Sequence, residues 1–140
     1  MKLITGRDVT RSRFHFIRFS MPDSYRCLVN AGITEDYSMG YPDEPGFRAG
    51  IARPYYFYDL ISDRQTNLKI FPFMVMDVTL YQYKNMGPDE AGQSIGRLVE
   101  NVRSVDGVFV SLWHNSSLQD KPEWEGWRRV FETMLKIQKP

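Results

Sequence analysis

Residues 107–117 place the strongest constraint on how this chain can fold. Gly107 is typical of a helix end, and residues 108–113 form a nearly continuous apolar run, as in a buried strand. The run leads into His114, followed by an amide and two hydroxyls. Ligands of α/β sheets bind just past the carboxyl ends of strands, and histidine titrates closest to neutral pH. His114 is therefore a candidate general acid or base, with a loop-capping histidine as the equal alternative.

Composition narrows the classes of protein that the chain can belong to. The 140 residues suffice for one domain with its own core, and no repeat or shift in composition divides residues 1–140. With a net charge of +1 and no basic tract, we expect no nucleic-acid partner. No apolar run reaches the roughly 18 residues that a membrane span needs. Cys27 is the single cysteine, so there is no intrachain disulfide framework, and we expect a cytoplasmic protein.

Hydrophobic periodicity predicts an α/β fold with mainly parallel strands and flanking helices. Aromatic residues alternating with polar ones predict a first strand, a proline begins the helix that follows, and a short strand completes a βαβ unit. Asp77 is interpreted as the cap of a short helix. The predicted strands are 13–19, 33–37, 52–60 (irregular), 68–76 (with a bulge or edge position at Pro72) and 108–113; the predicted helices are 22–31, 78–84, one from Pro88 ended by Gly107, and one from Pro122 onward.

Several other side chains are candidates for a site. Arg13 and His15 lie two apart on a predicted strand and so share a face, although a solvated face is the more ordinary interpretation. Asp36 follows a predicted strand and can orient a catalytic histidine or serve turn chemistry. Arg48, in a Gly-Phe-Arg-Ala-Gly loop, can contact an anion or hold its own loop. Tyr55 belongs to an aromatic segment, 55–58, that can stack on a sugar or pack in the core.

Four segments together resemble a known family. Residues 10–19, 31–41, 46–50 and 111–116 are similar, in order and spacing, to the C-terminal part of bacterial polysaccharide deacetylase-like proteins of the NodB-homology group, carbohydrate esterase family four. The resemblance implies the C-terminal half of a distorted (β/α) barrel, and an acetylated glycan or amino sugar as substrate. In that family a divalent metal such as zinc, held by one Asp and two His, activates water.

The resemblance transfers roles only to later positions of the family fold. His114 matches the histidine that protonates the leaving amine, Arg13 with His15 matches a strand end that holds an arginine, and Asp36 lies near a carboxylate that partners catalytic groups. The usual Arg-x-Pro-Tyr pattern is missing here. We therefore predict His114, Asp36 and Arg13 as catalytic residues. The predicted substrate-binding residues are His15, Arg48, Tyr55, Trp113 and Asn115.

The same resemblance predicts that the metal and base motifs precede this chain. We expect no metal ligands among its residues, little activity from the chain alone, and either a missing N-terminal half or a homo-oligomer that covers the open sheet. The alternative is a non-catalytic carbohydrate-binding or assembly module that uses residues 55–58 and Arg48.

Overall fold

The computed structural model describes Ile4, residues 6–119 and residues 121–137, and these form a mixed α/β structure. The strands are short, apart from two that form a hairpin. They are β1 (Arg11–Ser12), β2 (Glu35–Asp36), β3 (Tyr55–Asp59), β4 (Arg64–Ile70), β5 (Val75–Met76) and β6 (Ser111–Leu112). The helices are α1 (Asp23–Asn30), α2 (Pro88–Ser104) and α3 (Trp127–Ile137), with a π-helix at Thr79–Tyr83 and 3-10 turns at His15–Ile17, Asn115–Leu118 and Pro122–Trp124.

Most of the strand pairing is parallel. One sheet has the order β1-β2-β4-β3, in which β3 alone is antiparallel, and β5 pairs with β6 in parallel. Four residues join β4 to β5, and within this link the amide of Phe73 donates to the carbonyl of Met39 and that of Met74 to Val110. The two sheets are therefore continuous in hydrogen bonding, and β1, β2, β5 and β6 end at a common edge.

Helices cover the sheets through two apolar cores. The first lies between α1 and the β3–β4 hairpin and includes Tyr25, Leu68 and Ile70, each fully buried. The second lies where α2 and α3 pack against β5, with Ile95 and Trp127 at its centre. Burying one such side chain stabilises the fold by about 1.5–3 kcal/mol, so these two cores fix the strand ends that carry polar residues.

The end of α2 differs from the predicted helix stop. Asp106, with φ of 52°, adopts the left-handed conformation that ends the helix, and Gly107 does not. A Cβ at Gly107 would lie 2.8 Å from the Cβ of Ala52, so glycine is needed there for close packing. The carbonyl of Ala52 also accepts a hydrogen bond from the amide of Val108, which fixes the entry into the β6 segment.

Two of the four predicted helices agree closely with the structure. The predicted helix 78–84 is instead a π-helix at Thr79–Tyr83, and the helix predicted from Pro122 starts with a 3-10 turn, so that α3 begins only at Trp127. The helix at 22–31 and the helix from Pro88 are confirmed, as α1 and α2. The strand at 13–19 is wrong, because pairing stops at Ser12 and Phe16 and Ile17 adopt left-handed backbone angles, φ of 56° and 54°. The predicted strand 68–76 is split after Ile70, in the segment that contains Pro72, which has no N–H to donate.

The fold class is confirmed at the level of a mixed α/β protein with parallel strands and flanking helices. The sheets form no closed barrel within the described residues. No helix in the described part of the chain is long and apolar enough to cross a membrane.

Candidate functional site

A cavity of about 330 Å³ lies at the common strand edge and brings three predicted site residues together. Arg13, His15 and His114 all line it, although the first two lie about a hundred positions before the third in the sequence. The rest of the lining is largely apolar and includes Phe16, Met76 and Tyr83. The predicted grouping of Arg13 and His15 with the late histidine is thus present in the fold.

Asp77 is the carboxylate that holds His114. Its Oδ1 lies 2.7 Å from Nδ1 of His114, and its Oδ2 accepts the backbone N–H of the same residue at 2.7 Å. The hydroxyl of Ser117 also donates to Oδ2, and the amide of Val78 donates to Oδ1. Asp77 is 1 % exposed, so all its oxygens are turned to protein donors. We refer to Asp77 and His114 as the dyad.

Strand register explains why the dyad forms. Met76 lies opposite Leu112 across the β5–β6 pair, so the residues just after the two strands meet at one edge. A carboxylate bound at Nδ1 fixes the ring orientation and places the imidazole proton there, leaving Nε2 as the other nitrogen. The His114 side chain is 36 % exposed and lines the cavity, so the ring is accessible to a ligand.

Asp36 belongs to a different network from the dyad. Ser38 donates to Asp36 twice, from its amide to Oδ1 and from its hydroxyl to Oδ2, each at 2.9 Å. The Ser38 hydroxyl in turn accepts the amide of Phe14 at 2.9 Å. Asp36 therefore supports the loop that carries Arg13 and His15.

Burial sets the electrostatics of Asp36. It raises the pKa of the carboxyl above its ordinary value, and the two hydrogen bonds from Ser38 oppose that rise in part. Burial and the negative charge of Asp36 together raise the pKa of Tyr25, whose hydroxyl lies close to that carboxylate but outside hydrogen-bond geometry. The predicted catalytic role of Asp36 stays a prediction, and the carboxylate in contact with His114 is Asp77.

Arg48 holds its own loop. Its Nη1 donates to the carbonyl of Gly40 at 3.0 Å, and its guanidinium lies 5.0 Å from the centre of the Phe19 ring. Gly40 has no room for a side chain, because a Cβ would lie 2.3 Å from the ring of Phe73. These contacts match the loop-holding alternative, and Arg48 is not among the side chains that line the cavity.

Three further predicted binding residues also lie outside the cavity lining. Tyr55 is half-buried against the core beneath α1. The indole N–H of Trp113 donates to the sulfur of Met134 at 3.3 Å, so this ring packs against α3. Asn115 is exposed at the start of a 3-10 turn. Their predicted contact with substrate stays a prediction.

Sequence reasoning missed the role of Asp77. The predicted capping role is wrong, because the helix at Thr79–Tyr83 has no side-chain cap. Asp77 accepts hydrogen bonds from the amide of the next residue, Val78, and from His114 and Ser117. The available signal was its place directly after a buried strand, the same signal that made Asp36 a candidate.

The described residues provide no ligand set for the metal that the resemblance implies. Among Ile4 and residues 6–119 and 121–137, no group of three or more His, Cys, Asp or Glu side chains could hold a metal ion. The described chemistry of the cavity is therefore that of one carboxylate-held histidine beside an arginine and a second histidine.

Comparisons with known proteins identify no relative of this chain. No family model matches it, and neither a curated protein nor a solved structure is significantly similar to it.

Proposed function

We propose that this chain is the C-terminal part of a polysaccharide deacetylase-like hydrolase that acts on an acetylated glycan or amino sugar. The observation that supports the proposal most is the dyad, with Nδ1 of His114 2.7 Å from the buried carboxylate of Asp77 at a cavity also lined by Arg13. A histidine held in this way is suited to transfer a proton at Nε2. The family resemblance supplies the substrate class.

In the proposed reaction, water attacks the carbonyl carbon of an acetamido group and gives one proton to a base, which the resemblance places outside this chain. The C–N bond of the tetrahedral intermediate then breaks, protonated His114 gives its proton to the leaving amine, and acetic acid is released and ionises to acetate in water. Asp77 stabilises the imidazolium form that precedes this transfer. The family metal would activate the attacking water, and we assign it no ligand in this chain because the described residues do not fit one.

The test is release of acetate from N-acetylated oligosaccharides by the full gene product that contains these residues. His114→Ala should lower kcat by roughly 10²–10⁴-fold, the usual contribution of a general acid. Added imidazole should restore part of the loss in this variant, which a merely structural role would not allow. Cys27→Ser, on the exposed surface of α1, serves as the control. Absence of acetate release by the wild-type protein supplied with Zn²⁺, or full activity of His114→Ala, would overturn the proposal.

A non-catalytic carbohydrate-binding module is the second candidate, and one observation favours it. Tyr56 and Tyr58 are each 47 % exposed on β3, the edge strand of the larger sheet. Exposed aromatic rings can stack on sugars. Under this candidate Tyr56→Ala, and not His114→Ala, weakens glycan binding, and no acetate is released.

A further inference from the structure

Strand β3 is an open edge of the larger sheet. Among the residues that the structure describes, β4 is the only strand that pairs with β3. The hydroxyl of Thr66 on β4 donates to the carbonyl of Phe57 at 2.8 Å, so this carbonyl faces β4. Because successive carbonyls along a strand point to opposite edges, those of Tyr56 and Tyr58 face away from the sheet. Backbone donors and acceptors are therefore available there to a further strand.

The outer edge of β3 is regular, although its pairing with β4 is not. One residue separates Tyr56 from Tyr58, whereas three residues separate their partners on β4, Lys69 and Gln65. The extra residues thus bulge out of β4 and leave the course of β3 undisturbed. β3 also contains no lysine and no proline, two residue types by which natural edge strands prevent pairing. Its outer edge is consequently suited to a second strand.

The exposed face of β3 has charges of opposite sign beside its two tyrosines. Tyr56 and Tyr58 lie two apart, so they share a face, and each is 47 % exposed. The ammonium of Lys69 lies 5.8 Å from the centre of the Tyr56 ring. The Tyr58 hydroxyl donates to a carboxylate oxygen of Asp63 at 2.7 Å. One ring therefore lies next to a cation and the other next to an anion.

We infer that β3 pairs with β3 of a second copy of this chain, in an antiparallel, two-fold symmetric dimer centred on Phe57. In this register Tyr56 lies opposite Tyr58 of the second copy, and the reverse contact follows by symmetry. Lys69 of each copy then lies near Asp63 of the other, so opposite charges meet twice. Because both copies use the same edge, the assembly closes at two chains and does not extend into a fibre.

The hairpin tip adds apolar surface to this interface. Leu60 and Ile61 directly follow β3 and are 84 % and 76 % exposed. In the antiparallel pair each tip lies beside the start of the other copy's β3, at Pro54, so the dimer covers part of it. None of the described residues that line the dyad cavity belongs to β3, so the candidate site stays open. The dimer is independent of the proposed function.

The test is sedimentation velocity of the full gene product at low salt between about 1 and 100 µM, a range suited to the dissociation constant of a small interface. The wild type should pass from monomer to dimer. Lys69→Glu alone and Asp63→Lys alone should each weaken the dimer by roughly tenfold or more, because like charges then face each other at both contacts. An equimolar mixture of the two variants should dimerise as the wild type does, since both contacts again join opposite charges.

Leu60→Ser and Leu135→Ser form a matched pair, because both leucines are exposed and only Leu60 lies next to β3. Leu60→Ser should weaken the dimer by roughly fivefold, and Leu135→Ser should leave it unchanged. Circular dichroism shows whether each variant is folded. A wild type that stays monomeric, a larger assembly, equal effects of the two leucine changes, or a folded charge-variant mixture that stays monomeric would overturn the inference. A dimer that releases no acetate would refute the proposed function alone.

Discussion

Asp36 and Asp77 are two buried carboxylates at the same edge of the fold, and they differ in the hydrogen-bond partners that they hold. Asp36 ends β2 and Asp77 follows β5, with exposures of 0 % and 1 %. Asp36 accepts both of its close hydrogen bonds from one residue, Ser38. Asp77 accepts from Val78, His114 and Ser117, which lie on two separate segments.

The two carboxylates connect different segments of the chain. Asp36 secures a turn in its own segment and, through Ser38, the backbone of Phe14. Asp77 ties the segment after β5 to a titratable ring 37 positions away. Burial and strand position therefore do not distinguish the two carboxylates, whereas the groups that they bond do.

Removal of each carboxylate should give the largest difference between the two networks. Asp77→Ala leaves four donors without their acceptor, in one buried and three part-buried hydrogen bonds, so we expect a loss of about 3–5 kcal/mol in the free energy of unfolding. Asp36→Ala leaves only the two donors of Ser38 and should cost about 1–3 kcal/mol. Urea titration of both variants measures the difference. Equal losses would show that the two networks contribute alike and that Asp77 has no special place in the fold.

Helices were predictable from the sequence because their signals are local. Pro22 is the N-cap residue before α1, Pro88 is the first residue of α2, and the apolar stripe of α2 faces the core as its spacing predicts. The strand predicted at 13–19 failed for a reason that is also local. Alternating aromatic and polar residues satisfy the strand pattern, but the left-handed backbone of Phe16 and Ile17 interrupts it, and neither residue type favours that conformation.

The candidate site was predictable only in part. His114 was a candidate because it follows the apolar run 108–113, although only Ser111–Leu112 of that run is a strand and only Leu112 is buried. Arg13 and His15 do line the same cavity. The partner of His114 could not be chosen from the sequence, because Asp36, the last residue of β2, and Asp77, the residue after β5, both lie at strand ends. The choice depends on the pairing of β5 with β6, a long-range register that no local pattern encodes.

A smaller effect is the dependence of stability on pH that the buried carboxyl of Asp36 produces. Burial raises the pKa of Asp36 above 3.8, so the folded state binds its proton more tightly than the unfolded state. The stabilising contribution is complete below pH 3.8 and is lost as the pH rises through the folded-state pKa. Asp36→Asn removes this dependence, so the stability of the variant relative to the wild type should increase as the pH rises from 3.8. Thermal melts from pH 3 to pH 7 measure it.

Asp59 provides the control of opposite sign. Two hydrogen bonds from Arg26 lower the pKa of Asp59, so its contribution is present at neutral pH and is lost as the pH falls below 3.8. Asp59→Asn should therefore lose stability relative to the wild type at neutral pH and recover in acid. If Asp36→Asn follows the same direction as Asp59→Asn, then Asp36 is stabilised as an anion in the fold, against the expectation from its burial.

The smallest expected change in the free energy of unfolding concerns the hydroxyl of Tyr25, which lies beside Asp36. This hydroxyl is buried without a hydrogen-bond partner, so the desolvation of a polar group is not compensated. Tyr25→Phe should leave the free energy of unfolding unchanged or raise it by up to about 1 kcal/mol. Tyr37→Phe is the matched control, because its hydroxyl donates to Glu35 at 2.9 Å, and its loss should cost about 0.5–1 kcal/mol. If Tyr25→Phe loses as much free energy of unfolding as Tyr37→Phe, then Tyr25 donates a hydrogen bond to Asp36 in solution. Asp36 would then accept three hydrogen bonds, and its network would resemble that of Asp77 more closely.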